Sequence, residues 1–306
     1  MKFTSLFAAL IASSLFANAA KKVSWPRGFE GATTEIYKTI DDVELRIHIF
    51  SPEIQSKKPK PAIVFFFGGG WKGGTPKQFE QHCRYLASRG MIAMTAEYRI
   101  RNLHQTLAQA CVRDGKSAIR WVRANSKRLG IDPNRIVAAG GSAGGHVAAC
   151  TGVLKGFEDE QTGSSRPNAM VLFNPALVLA PIAGSELPFP KDKMDELTER
   201  MGVAPKRLSP WHNVSKGVPP TLTLHGQADT TVAFWTARVF HEKMETSGNR
   251  SELAGFIDQP HGFFNFGKDE NKMFRATVKR ADKFLISLGY LKGSDSVDTF
   301  LNQKHK

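Results

Sequence analysis

Between Arg135 and Cys150 the chain reads RIVAAGGSAGGHVAAC. An apolar strand-like run enters, a cluster of small residues turns, and an apolar helix-like run leaves. A strand that gives way to a helix within so few residues needs backbone room, and Gly140 and Gly144 on either side of Ser142 supply it, since a Cβ there would meet neighbouring elements. Ser142 is left exposed at the tip, over the positive end of the following helix. This is the strand-turn-helix setting that a G-x-S-x-G elbow requires. The competing reading is a glycine-rich helix start with Ser142 as its N-cap.

The rest of the chain supplies the sheet that such a corner needs. TTEIYKTI and VELRIHIF flank Asp41-Asp42 and read as an opening hairpin. PAIVFFF, MIAMTAEY, RIVAAG, NAMVLFN, PTLTLHG and ELAGFID follow as mostly continuous apolar runs, the pattern of parallel strands buried on both faces. Helical segments are expected between them, at 77–88, 105–129, 143–154, 232–247 and 271–288. On the second, Leu107, Cys111, Ala118, Val122 and Leu129 form an apolar stripe, with Arg113, Lys116, Arg120, Arg123 and Lys127 mostly off it. Strands alternating with helices give an α/β fold, a mostly parallel eight-stranded sheet with helices on both faces. A single domain over 20–306 suffices. Its one irregular stretch, 175–218, is broken by six prolines and carries a short helix near 191–201, so a lid-like insertion is expected there.

Residues 1–19 combine Lys2, an apolar run from Phe3 to Phe16 and the small-residue pattern Ala17-Asn18-Ala19, the grammar of a cleaved secretory signal. The run falls short of the roughly 20 residues needed to cross a bilayer. A secreted or periplasmic protein without a stable membrane anchor is therefore expected. Three cysteines, Cys83, Cys111 and Cys150, allow at most one internal disulfide and read as small buried side chains. The formal charge of +14, from 42 basic and 28 acidic residues, raises a nucleic-acid reading. The basic residues are spread without a run or an aromatic-basic motif, so a solvated basic surface is expected and no nucleic-acid partner. No CxxC or HxxxH pattern supports a metal, and no nucleotide loop pattern supports a cofactor.

Three further features accompany the serine. FFFGGGWKGG, from Phe65 to Gly74, follows an apolar strand, and its glycines can aim backbone N–H groups at one small space. Asp229 lies just past the strand PTLTLHG, and His261 just past the next. Their order, serine then acid then histidine, suits nucleophile, orienting acid and base on this fold. Asp258 is the rival acid. Of the other histidines, His225 is expected to support the acid loop, His241 to face solvent and His146 to pack within its helix. His212 is a rival only as a substrate contact.

These residues together resemble an α/β-hydrolase-fold serine esterase of the hormone-sensitive-lipase-like and acetyl-xylan-esterase-like group, over about 33–288. The resemblance implies Ser142, Asp229 and His261 as catalytic residues, with the backbone amides of Gly69, Gly70 and Ala143 as the oxyanion hole. Members of that group typically carry His-Gly-Gly-Gly; here Phe67 takes the histidine position, which leaves open how the loop is braced. EYRI at Glu97 to Ile100 is similar to the group's Asp-Tyr-Arg, which pairs Arg99 structurally with Asp114. No metal or nucleotide is needed.

Trp71, Trp211 and Phe263 lie beside the expected catalytic loops as candidate substrate contacts, with core packing as the alternative for each. The resemblance, the leader and these aromatic residues favour removal of acetyl or other short acyl groups from polysaccharide or oligosaccharide. A general short-chain carboxylesterase is the alternative, ahead of an exopeptidase or a non-catalytic hydrolase-fold binding protein.

Overall fold

The computed structural model describes residues 25–53, 58–159 and 162–303; the expected leader, residues 1–19, lies outside the described residues. The eight expected strands form as β1 (Thr33–Ile40), β2 (Val43–Phe50), β3 (Lys60–Phe66), β4 (Ile92–Ala96), β5 (Ile131–Gly141), β6 (Ala169–Phe173), β7 (Thr221–Gly226) and β8 (Ser251–Phe256). They join one sheet in the order β1-β2-β4-β3-β5-β6-β7-β8. β1, β2 and β4 pair antiparallel, and every other pairing is parallel.

The continuous apolar runs are explained by helices on both faces. Those longer than one turn are α1 (Glu80–Ser88), α2 (Ala108–Ala124), α3 (Ala143–Val153), α4 (Lys191–Met201), α5 (Phe234–Thr246), α6 (Lys272–Ser287) and α7 (Val297–Gln303). Ala62, Val64 and Phe66 of β3 point into a core shared with α2, α3 and α5, while Ile63 and Phe65 point into a second core shared with α1, α6 and α7. Both faces of the strand therefore bury apolar side chains, each worth about 1.5–3 kcal/mol for the larger ones.

The structure departs from the sequence expectations at several places. The helix expected over 105–129 is shorter, because Gln105 adopts φ 50° and Asn125 leaves helical geometry, after which Ser126–Leu129 makes a separate turn. Lys116 and Arg120 are not solvated: they are 2% and 4% exposed. The loop after α3 covers them, with Lys116 Nζ donating to the Leu154 carbonyl at 2.8 Å and to Glu158 at 2.7 Å, and Arg120 paired with Glu158. His241 is half-buried, its ring against Ser251 Oγ at 3.0 Å. The terminal helix α7 was not anticipated. The three cysteines are free and buried.

The insertion runs between β6 and β7 and contains α4 and two one-turn helices, Pro205–Leu208 and Pro210–Asn213, each begun by its proline. Leu197 and Met201 bury one face of α4, and Gln109 of α2 donates to the Gly202 carbonyl just past its end at 3.2 Å.

Candidate active site

Ser142 adopts φ 54° and ψ −120°, the strained conformation of a side chain held at a sharp corner. The corner is pinned from both sides, since Ser142 N–H donates to the Phe173 carbonyl at 2.9 Å and His146 N–H to the Ser142 carbonyl at 3.0 Å. The flanking glycines are required by contact. A Cβ on Gly140 would lie 2.5 Å from the Gly144 carbonyl oxygen and 2.6 Å from that of Phe66, and one on Gly144 would run into the carbonyls of Phe66 and Phe67. The motif thus records how closely β3 and its following loop approach β5 and α3.

β7 and β8 run parallel in register to Gly226 and Phe256, so the loops after them leave the same end of the sheet side by side. They carry Asp229 and His261. His261 Nε2 lies 3.0 Å from Ser142 Oγ, and His261 Nδ1 lies 2.7 Å from Asp229 Oδ2. An ionised carboxylate only accepts, so Nδ1 carries the proton and Nε2 is free to accept from the serine hydroxyl. The arrangement can deprotonate a serine as it attacks and return the proton to a leaving group.

Asp229 is built to stay ionised. Its Oδ1 accepts from the amides of Thr231 at 2.8 Å and Val232 at 2.9 Å, and its Oδ2 also accepts from Asn174 Nδ2. His225 Nε2 sits 3.3 Å from Oδ2 and 2.9 Å from the Val232 carbonyl, supporting the acid loop. Burial alone would raise the Asp229 pKa, but hydrogen bonds from His225, His261 and Val232 hold it well below the usual carboxylate range. Asp258, by contrast, is exposed in the turn after β8.

The glycine loop lies against the serine: a Cβ on Gly68 would be 3.2 Å from Ser142 Cβ. Gly69 and Gly70 take φ 134° and 62°, and the Gly69 carbonyl accepts from the amides of Lys72 at 3.1 Å and Gly73 at 3.0 Å. Gly69 and Gly70 directly follow Gly68 in this loop, and Ala143 follows Ser142 at the start of α3. Phe67 braces the loop by stacking on Tyr98 at 4.3 Å, and Tyr98 OH donates to the Phe67 carbonyl at 2.5 Å. Trp25 Nε1 donates to the Gly74 carbonyl at 3.0 Å. The Arg99 and Asp114 side chains pair as expected, through two bonds of 2.9 Å.

Gln78 was missed in the sequence. Its Oε1 accepts from Gly68 N–H at 2.6 Å, its Nε2 donates to Asn265 Oδ1 at 2.9 Å, and Asn265 Nδ2 donates to the Gly262 carbonyl at 2.9 Å. One glutamine thus ties the glycine loop to the turn after His261. Asn174 also escaped notice. It lies just past β6 with φ 42° and donates to the acid.

The three aromatic candidates are largely spent on packing. Trp71 is 4% exposed, and its Nε1 donates to His146 Nδ1 at 3.1 Å, while His146 Nε2 donates to the Leu208 carbonyl at 2.8 Å. His146 therefore packs within its helix as expected and also joins the glycine loop to the insertion. Phe263 is 4% exposed in the core containing Phe256 and Phe264. Trp211 donates to the Val239 carbonyl at 3.2 Å, under Lys243. His212 is engaged within the insertion by Ser209 Oγ at 2.8 Å and the Pro181 carbonyl at 3.3 Å.

A family model described as BD-FAE matches residues 47–244. A solved structure of Thermogutta terrifontis esterase 2, phosphonylated by sarin, is 45% identical with a TM-score of 0.84, covering 87% of this chain and 98% of that one. The propionate-bound structure of that esterase is also 45% identical, with a TM-score of 0.80 and coverage of 87% and 97%. Esterase LipC of Mycobacterium tuberculosis is 28% identical over 239 residues, 73% of this chain and 58% of its own length. The probable carboxylic ester hydrolase LipM of the same organism is 29% identical over 210 residues, 63% of this chain and 47% of its own length. The chain thus spans about half the length of these curated relatives. A glycine-flanked serine on an eight-stranded, mostly parallel sheet, matched over most of its length by an esterase and by one family model, places the chain in the BD-FAE family, among the α/β-hydrolase serine esterases of hormone-sensitive-lipase type.

Proposed function

We propose that the protein is a carboxylic-ester hydrolase that works through an acyl-enzyme on Ser142. The observation that carries this reading is the continuous chain Ser142 Oγ to His261 Nε2 at 3.0 Å and His261 Nδ1 to Asp229 at 2.7 Å, mounted on a strained elbow. His261 takes the Ser142 proton as Oγ attacks the ester carbonyl, and Asp229 stabilises the imidazolium. The oxyanion forms against the amides of Gly69, Gly70 and Ala143. His261 protonates the departing alcohol, then takes a proton from the water that attacks the acyl-enzyme and returns it to Ser142 Oγ as the acid leaves.

The finer reading is removal of acetyl or other short acyl groups from polysaccharide or oligosaccharide outside the cell. It is supported by the leader-like residues 1–19 and by the basic surface, and it suits an acidic polymer. A general short-chain carboxylesterase is the second reading, favoured by propionate- and butyrate-bound structures of the similar esterase. The test is labelling and turnover together. A serine-directed phosphonate adds once, at Ser142, and Ser142→Ala abolishes hydrolysis of 4-nitrophenyl acetate with the fold intact; labelling elsewhere, or an active alanine variant, refutes the assignment. Acetylated xylan turned over with a higher kcat/KM than 4-nitrophenyl butyrate decides for the polysaccharide reading.

A further inference from the structure

The insertion brings a cation to the glycine loop. Leu197 and Met201 fix the buried face of α4, and Arg200 follows Leu197 by three residues, so its side chain is carried toward that same face. There it meets the loop: a Cβ built on Gly70 would lie 3.8 Å from Arg200 Nη1. Gly70 is two residues from Gly68, the glycine packed on Ser142, a span of at most about 7 Å. The guanidinium therefore lies beside the loop that carries two of the proposed oxyanion donors.

Arg200 is incompletely satisfied. Its Nη2 donates to Glu196 at 3.1 Å, one turn back on α4, but that carboxylate is 49% exposed and is also near Lys193 at 3.7 Å. Its Nε is buried without a hydrogen-bond partner among the described residues. A buried, unpaired donor on a charged group is costly unless something else takes it up. Burial lowers the Arg200 pKa; the Glu196 carboxylate opposes that shift, and the charge of Arg101 adds a smaller lowering. Arg101 is itself placed by the glycine loop, its backbone N–H donating to the Trp71 carbonyl at 3.1 Å. An anion arriving beside Gly70 meets Arg200 Nη1, the guanidinium nitrogen within 4 Å of a Cβ built there.

We propose that Arg200, assisted by Arg101, is a specificity-determining residue that selects esters carrying a carboxylate near the scissile bond, on the acyl chain or on a uronic-acid alcohol. The proposal rests on the reading of the chain as a serine esterase. Arginine suits the task because its fork pairs with carboxylates through two parallel bonds. A cation that merely helped the oxyanion would aid every ester alike. One that recognises a carboxylate changes only the ratio between charged and neutral substrates.

The experiment measures kcat/KM on two matched pairs. In the first, 4-nitrophenyl hemisuccinate is compared with 4-nitrophenyl butyrate; in the second, acetylated methyl galacturonoside is compared with acetylated methyl galactoside. The expected result is that Arg200→Gln lowers the charged-to-neutral ratio about tenfold on at least one pair, the size of one charge-assisted hydrogen bond. Which pair responds tells whether the carboxylate belongs to the acid or to the alcohol. Arg200→Lys keeps part of the preference, and Arg101→Gln reduces it less than Arg200→Gln does. The second variant serves also if Arg200→Gln fails to fold. Ratios unchanged within about twofold in both pairs, for both arginine-to-glutamine variants, overturn the proposal even if absolute rates fall. A wild-type protein inactive on all four esters overturns the esterase reading itself and this proposal with it, an outcome plainly distinct from an unchanged ratio.

Discussion

His82 of α1 makes acid stability a test of the packing beneath the active site. Its ring is 1% exposed and surrounded by Phe79 at 5.0 Å, Phe173 at 5.5 Å and Phe274 at 4.8 Å, with Phe65 and Phe264 completing the cage. Neither ring nitrogen has a partner among the described residues. Burial pushes its pKa from 6.5 down to about 3. The folded state thus refuses a proton that the unfolded chain accepts once the pH falls below 6.5, so stability is complete above that pH and declines down to about 3. At about 1.36 kcal/mol per pH unit, lowering the pH from 6.5 to 4.5 removes about 3 kcal/mol through this one group. That is a large share of a typical total of about 5–15 kcal/mol. The perturbation is His82→Leu, a side chain of similar volume that cannot titrate. Urea unfolding at pH 7.5 and pH 4.5 should show wild type losing about 3 kcal/mol more than the variant over this interval. At pH 7.5 the variant should be the more stable, by up to about 1–3 kcal/mol, because buried polar atoms without partners have been removed. His146, whose burial lowers its pKa to about 4, titrates in both proteins and cancels from the comparison. Parallel pH profiles for the two proteins would refute the reasoning.

Two further outcomes are expected. Asp229→Asn should lower kcat by roughly 10³–10⁴-fold without unfolding the protein, because an amide no longer fixes the His261 tautomer, whereas exposed Asp258→Asn should leave kcat within about twofold; steady-state kinetics beside circular dichroism separates them. Gln78→Leu breaks the link from Gly68 to Asn265 and should lower kcat roughly tenfold with little change in KM for a short-chain ester, since it disturbs donors used in the transition state; a change confined to KM would count against that role.

The sheet was legible because its strands are continuous apolar runs, and the serine corner because two glycines are demanded by backbone contact. Asp229 and His261 could be found because parallel strands β7 and β8 deliver their following loops to one end. What escaped was polar pairing between distant segments. Gln78 and Asn265 are 187 residues apart, and neither stands out in composition or periodicity. The bracing of Phe67 by Tyr98 and Trp25 likewise needs the loop's actual path. Lys116 and Arg120 looked like solvent-facing charges because periodicity describes a helix alone; the loop after α3 folds over them and supplies Glu158. Trp71, Trp211 and Phe263 were legible as neighbours of the catalytic loops, but not the degree to which packing would engage them.

The strain at Ser142 and the cage around His82 bear on one another. A non-glycine residue at such an angle costs about 1–3 kcal/mol and persists only where its surroundings over-determine it. At Ser142 those surroundings are the Phe173 carbonyl, which accepts its amide, and the ring of Phe264, which lies so close under Gly141 that a Cβ there would stand 2.6 Å away. Both phenylalanines line the His82 cage, and Phe264 is three residues beyond His261. Protonating His82 places an unpaired charge among these rings, and relief by water requires the cage to open, with the Phe173 and Phe264 side the one that touches the elbow. That movement would loosen the amide anchor of the elbow and the turn that presents the base while most of the sheet remains paired. Wild-type activity in acid should consequently disappear at a higher pH than that of His82→Leu, since any acid loss arising at the triad itself is common to both proteins; identical acid limbs in the two would separate the cage from the strain it is argued to hold.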